Sequence, residues 1–92
     1  MIAAFVLIDA EPSRVAALGA ELADIPGVVE AHSVAGHHDL VAVLQVADHE
    51  AVANTVTQHI SALDGIRQTR TLISFRAYSS EDLAAAYEGI GD

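Results

Sequence analysis

A two-layer α+β sandwich, one four-stranded sheet with two helices against it, is the fold class that this 92-residue sequence predicts. Three observations carry the prediction. Continuous apolar runs rich in branched residues alternate with runs whose apolar residues recur every third or fourth position, in the order strand, helix, strand, strand, helix, strand. The segments IPGV at 25–28 and LDGI at 63–66 echo each other, each ending a helix and opening a strand. The first and third strands are the most apolar, as strands in the middle of a sheet must be.

Each element has its own local reason. IAAFVLI at 2–8 is too short for a typical helix and apolar on both faces, so it reads as the first strand. Glu11-Pro12-Ser13 starts a helix, because proline is tolerated in a first turn, and Val15, Leu18, Leu22 and Ile25 form its stripe. Pro26-Gly27 stops it. VVEAHSV at 28–34 resumes an extended pattern, more exposed because Glu30, His32 and Ser33 interrupt it. After a turn at 36–39, LVAVLQV at 40–46 is again apolar on both faces apart from Gln45. Asp48 caps a second helix with the stripe Val52, Val56, Ile60 and Leu63, ended by Asp64-Gly65. IRQTRTLISFRA at 66–77 is a long, polar-laced fourth strand, and SSEDLAAAYEGI sets Leu83, Tyr87 and Ile90 at helical spacing, which predicts a C-terminal helix at about 80–90.

Two split βαβ units in tandem make the ferredoxin-like βαββαβ sandwich, in which right-handed crossovers put strands one and three in the middle and two and four at the edges. Nothing in composition divides the chain, so residues 1–92 form a single domain with its core over 2–77. Two helices cover one face of such a sheet, yet the central strands carry apolar side chains on both. The uncovered footprint is a few hundred Å², about the largest apolar patch a soluble monomer tolerates. Dimerisation through the sheet is therefore expected.

Composition removes several function classes. Thirteen acidic residues against four arginines and no lysine give a net charge of -9, which repels phosphate backbones and anionic membranes. Direct nucleic-acid binding is not expected. The absence of cysteine removes thiolate metal sites and gives no sign of an oxidising compartment. The opening apolar run is far short of the roughly 18 residues that a membrane span needs, lacks a basic flank and is closed by Asp9. A cytoplasmic protein is expected.

The stretch VAGHHDLVAVLQV at 34–46 concentrates glycine, two histidines and an aspartate between two apolar runs. Together with the opening strand, IPGVVEAHSV before it, the helix opened by Asp48, and LDGIRQTRTLISF at 63–75, it resembles the effector-binding domain of the Lrp/AsnC family of feast/famine regulators, in a stand-alone form. The similarity runs from about residue 2 to residue 77. Its most telling pieces are Gly36-x-x-Asp39 between the second and third strands and Thr69-Arg70-Thr71 in the fourth. The family pattern commonly has an aromatic near the aspartate, where this chain has His37 and His38, a departure that bears on ligand identity and on pH response.

The resemblance implies a small-molecule sensor, with an amino acid as effector, that forms homodimers assembling into higher oligomers and that acts on transcription or amino acid metabolism through partners, among them a full-length regulator of the same family. No cofactor and no metal are implied. An amino acid needs an anion for its ammonium and oriented donors for its carboxylate. Asp39 is the expected anion, and the backbone N–H groups around Gly36, His37 and His38 are the expected donors. Thr69 and Thr71, on the same side of the fourth strand, are implied to add hydroxyls.

The residues themselves leave other readings open. Gly36 and Asp39 suit a plain turn, and His37 and His38 a solvated loop. Thr69 and Thr71 are good strand formers, and Arg67, Arg70 and Arg76 suit salt bridges, with interfaces the expected place for them. His49 reads as surface, and His59 borders the second helix's apolar stripe. The same dimeric architecture hosts cofactor-free monooxygenases and small isomerases, for which His32, His59 and Asp39 are the acid/base candidates, but no nucleophile–base pair, metal cluster or phosphate loop accompanies them. The expectation is a non-enzyme. A pure assembly module is the third reading, distinguished by showing no ligand response.

Overall fold

A computed structural model of the chain describes residues 1–80. Its elements are β1 (Ile2–Ala10), a 3₁₀ turn (Pro12–Arg14) running into α1 (Val15–Ala23), β2 (Val28–Ser33), β3 (Leu40–Val46), α2 (His49–Asn54) continued by a π-helical stretch (Thr55–Ile60), and β4 (Ile66–Ile73). The strands form one antiparallel sheet in the order β2-β3-β1-β4, so the two most apolar strands are central. This is the ferredoxin-like α+β sandwich. The expected C-terminal helix at about 80–90 lies outside the described residues.

Alternation along the strands separates two faces. Toward the helices point Ala4, Val6, Ile8 and Ala10 of β1 and Leu40, Ala42, Leu44 and Val46 of β3, all buried, and Leu18, Leu22, Val28, Val52 and Ile60 close over them. Among the described residues, no helix lies on the opposite face. Phe5 is 40% exposed and Leu72 49%, with Leu7, Val41 and Val43 half-buried between them.

The helix ends follow their local chemistry. The Asp48 carboxylate accepts a hydrogen bond from the Ala51 N–H at 2.8 Å, the expected N-cap. The echoed turns both place glycine in the left-handed region, Gly27 at φ 94° and Gly65 at φ 93°. At Gly27 a Cβ would also lie 2.9 Å from Val46 Cγ1, so the turn after α1 lies this close to the end of β3 only because that atom is missing. The second helix departs from regularity at Thr55, where its turns widen into π geometry and the threonine is buried with Val52 and Ile60, while Val56 packs at the core's margin.

Three strand boundaries differ from the sequence reading. β1 runs to Ala10, because beyond β3 it continues to pair with β4 through Asp9↔Gln68 and, past a bulge, Ala10↔Ile66. β4 ends at Ile73, not 77: Ile73 pairs with Ala4, Ser74 N–H donates to the Ala3 carbonyl, and β1 then has almost no chain left to pair with. β2 ends at Ser33, and Val34 N–H closes the turn on the Asp39 carbonyl at 3.0 Å.

Candidate functional site

Sheet register carries the β2–β3 turn to the C-terminal end of β1. Leu40 pairs with Ile8, so the residues just before Leu40 must lie beside Asp9 and Ala10. Asp39 is anchored there at three atoms. Its N–H donates to the Ile8 carbonyl at 2.9 Å, its carbonyl accepts from Val34, and its carboxylate Oδ2 accepts from the Ala10 N–H at 2.8 Å. The last of these satisfies a donor that β3 no longer reaches. Gly36, at φ 137°, lets the turn reverse in a conformation that L side chains rarely adopt.

His38 does not behave as a solvated loop histidine. Its Nδ1 lies 2.9 Å from Asp9 Oδ1, and both side chains are about one-third exposed or less, at 26% and 33%. The ring therefore bridges the turn to β1. His37 is exposed. Beside the pair a small cleft of about 70 Å³ opens, lined by Leu7, Asp9, His38, Gln68, Thr69 and Arg70. That is room for a few water-sized groups, enough for the carboxylate or ammonium of a ligand but not for a whole long side chain.

Thr69 and Thr71 share one side of β4, but it is the helix side: they pair with the inward residues Ile8 and Val6. Gln68 and Arg70 project to the opposite, open face. The structure thus brings His38 and Asp39 together with Asp9, puts Thr69 at the cleft's wall, and sets Thr71 two residues farther along the strand, outside the cleft lining. Asp9, Gln68 and Arg70 line the cleft and were not among the site candidates read from the sequence. The one signal for Asp9 is a charged residue ending an otherwise apolar strand.

The charges around this corner are unevenly engaged. Arg67 is tied to Glu11 within the chain, with Nη2 2.7 Å and Nε 3.2 Å from Oε1. Its pKa is raised by that hydrogen bond, by the Glu11 charge and more weakly by Asp39. Arg14 pairs with Glu21 at 2.6 Å. Arg70 makes no hydrogen bond or ion pair among the described residues and stands exposed at the cleft. The other acid/base candidates are separate from the corner: His32 is exposed and contacts Glu30 at 3.4 Å, and His59 is exposed on the π-helical stretch.

The Lrp/AsnC ligand binding domain model matches residues 3–83. The chain belongs to the Lrp/AsnC family. Among curated relatives, an HTH-type transcriptional regulator of Pyrococcus abyssi is 38% identical over 72 residues, covering 78% of this chain and 46% of that protein. A second, from Pyrococcus furiosus, is 35% identical over 81 residues, 85% of this chain and 54% of its own length. The chain thus spans about half the length of the curated relatives it matches. Among solved structures, TTHA0845 from Thermus thermophilus superposes with a TM-score of 0.82 at 48% identity, over 86% of this chain and 99% of that one. A feast or famine regulatory protein from M. tuberculosis, complexed with L-methionine, superposes at 0.72 with 30% identity, over 88% of this chain and 54% of that one. Among the described residues no helix is long and apolar enough to cross a membrane.

Proposed function

We propose that this Lrp/AsnC domain senses an amino acid at the corner where the Gly36–Asp39 turn meets β1 and β4, that a second copy covers its open sheet face, and that such dimers assemble further. Through partners, including full-length regulators of the family, it modulates transcription or amino acid metabolism. The observation that carries this reading is the rigid anchoring of the turn beside a polar cleft. Asp39 uses one of its several lone-pair positions on Ala10, which leaves carboxylate capacity for an ammonium. The N–H groups of the turn and the Thr69 and Thr71 hydroxyls remain the candidate donors for the carboxylate, the threonines reaching it from the helix side of β4. The cleft is too small for a whole ligand, so the effector's side chain extends beyond the subunit, which fits a site closed by a neighbouring copy. The M. tuberculosis relative's L-methionine complex supports an amino acid as the ligand class. The exposure of His32 and His59 speaks against the enzymatic alternative, which needs a buried acid/base group.

A thermal-shift screen of the twenty amino acids tests this. An effector at one hundred times its dissociation constant adds about 2.7 kcal/mol of stability. The expected result is a shift with one or a few amino acids that is lost in Asp39→Ala, read as the difference with and without ligand because that variant also loses its bond to Ala10. No shift with any amino acid contradicts the sensor.

A further inference from the structure

The cleft beside the Gly36–Asp39 turn has one anion in its lining, already engaged, and one cation left over. Asp9 is the anion, and its Oδ1 lies 2.9 Å from His38 Nδ1. An ionised carboxylate only accepts, so that ring nitrogen carries the proton, and the acid is answered within the chain. Arg70 is the cation. The register pairs it with Leu7, and Asp9 is its diagonal neighbour through the Asp9↔Gln68 pair, a placement from which long side chains can meet. Arg70 nonetheless makes no ion pair among the described residues, whereas Arg14 is taken by Glu21 and Arg67 by Glu11. Gln68, two residues before Arg70 and on the same face of β4, brings an amide N–H to the same lining.

Charge and size select the same kind of guest. A guanidinium presents its donors in a planar fork that fits both oxygens of a carboxylate. In a chain of net charge -9 the long-range field repels anions, so an anion gains most where a cation stands at contact distance. A cleft of about 70 Å³ admits a carboxylate and excludes a longer chain. The spacing also suits an amino acid's head group. The Asp39 carboxylate sits at the level of Ala10 and the Arg70 backbone at that of Leu7, three residues or about 10 Å apart along β1. An extended arginine side chain and one α-amino acid head group fill that gap together.

We propose that the Arg70 guanidinium binds the α-carboxylate of the effector in this cleft, with the Gln68 amide beside it, and so makes a free carboxylate a condition of binding. This rests on the reading that the domain senses an amino acid at this corner, and it adds a charged contact to the uncharged donors of the turn and the threonines. The consequence is selection by head group: amino acid amides, simple amines and the internal residues of peptides lack the anion that Arg70 requires and are rejected.

The test is isothermal titration calorimetry of the full chain, of Arg70→Gln and of Arg76→Gln against the twenty amino acids and their α-amides, with circular dichroism confirming that each variant stays folded. Both arginines are exposed, and Arg76 lies outside the cleft lining, so its variant removes the same charge from the chain but not from the cleft. For whichever amino acid binds the unmodified chain, Arg70→Gln is expected to weaken binding by about tenfold or more, while Arg76→Gln stays within about twofold. The preference for the free acid over its α-amide, about tenfold or more in the unmodified chain, is expected to fall to within about threefold in Arg70→Gln. Equal affinity of the unmodified chain and Arg70→Gln overturns the proposal. Equal losses in Arg70→Gln and Arg76→Gln overturn it too, because net charge then explains both, and so does a preference for the free acid that persists in Arg70→Gln. An unmodified chain that binds no amino acid overturns instead the reading on which this rests.

Discussion

The two faces of one sheet have opposite fates, though the same strands build both. Along β1, Ala4, Val6 and Ile8 are completely buried under α1 and α2, while their neighbour Phe5 remains 40% exposed on the other side. Along β3, Ala42 and Leu44 are sealed and Val41 and Val43 only half-covered. The covered face is a finished core, close-packed and saturated within one chain. Among the described residues, the open face has the residues of a core and the exposure of a surface, which is what the proposed second copy would cover.

That contrast yields graded predictions. On the covered face Leu44→Ala removes a fully buried side chain, and we expect a loss of about 2–5 kcal/mol in urea unfolding, read as a lower midpoint at unchanged slope. On the open face Phe5→Asp should leave the far-ultraviolet spectrum intact and weaken self-association at least about a hundredfold, equivalent to roughly 2.7 kcal/mol. If it unfolds the chain instead, the two faces are not as distinct as their exposure indicates. Next in size is Gly27→Ala, which forces a side chain into φ 94° and against Val46, at a cost of about 1–3 kcal/mol in thermal unfolding. Last is Asp48→Ala, which removes the cap of α2 far from the open face. It should cost about 1 kcal/mol of stability and leave the dimer dissociation constant unchanged once the fold is intact.

Much of this architecture was legible in the residues because it is written in local chemistry. Period-two and period-three-to-four patterns separate β1 and β3 from the two helices, and Pro26-Gly27 and Asp64-Gly65 mark turns whose glycines do take positive φ. Asp48 identified itself as a cap by its position before an apolar stripe. What escaped depends on register. The His38–Asp9 contact joins residues 29 apart, and only the Leu40↔Ile8 pairing brings them together. The overlong fourth strand reflects the same blindness, since a strand stops where its neighbour does and β1 begins at Ile2. The turn's composition marked Asp39 as a candidate but gave no hint that its carboxylate also secures the Ala10 N–H. Arg70 was one arginine among several until the contacts showed Arg14 and Arg67 occupied within the chain, and Arg70, like Arg76, without an ion pair among the described residues.

Sedimentation equilibrium of the unmodified chain, from the lowest detectable concentration upward, tests the central claim most directly. Species at twice the chain mass or multiples of it are the expected result. A single chain at every concentration, with Phe5 and Leu72 in water, would contradict it.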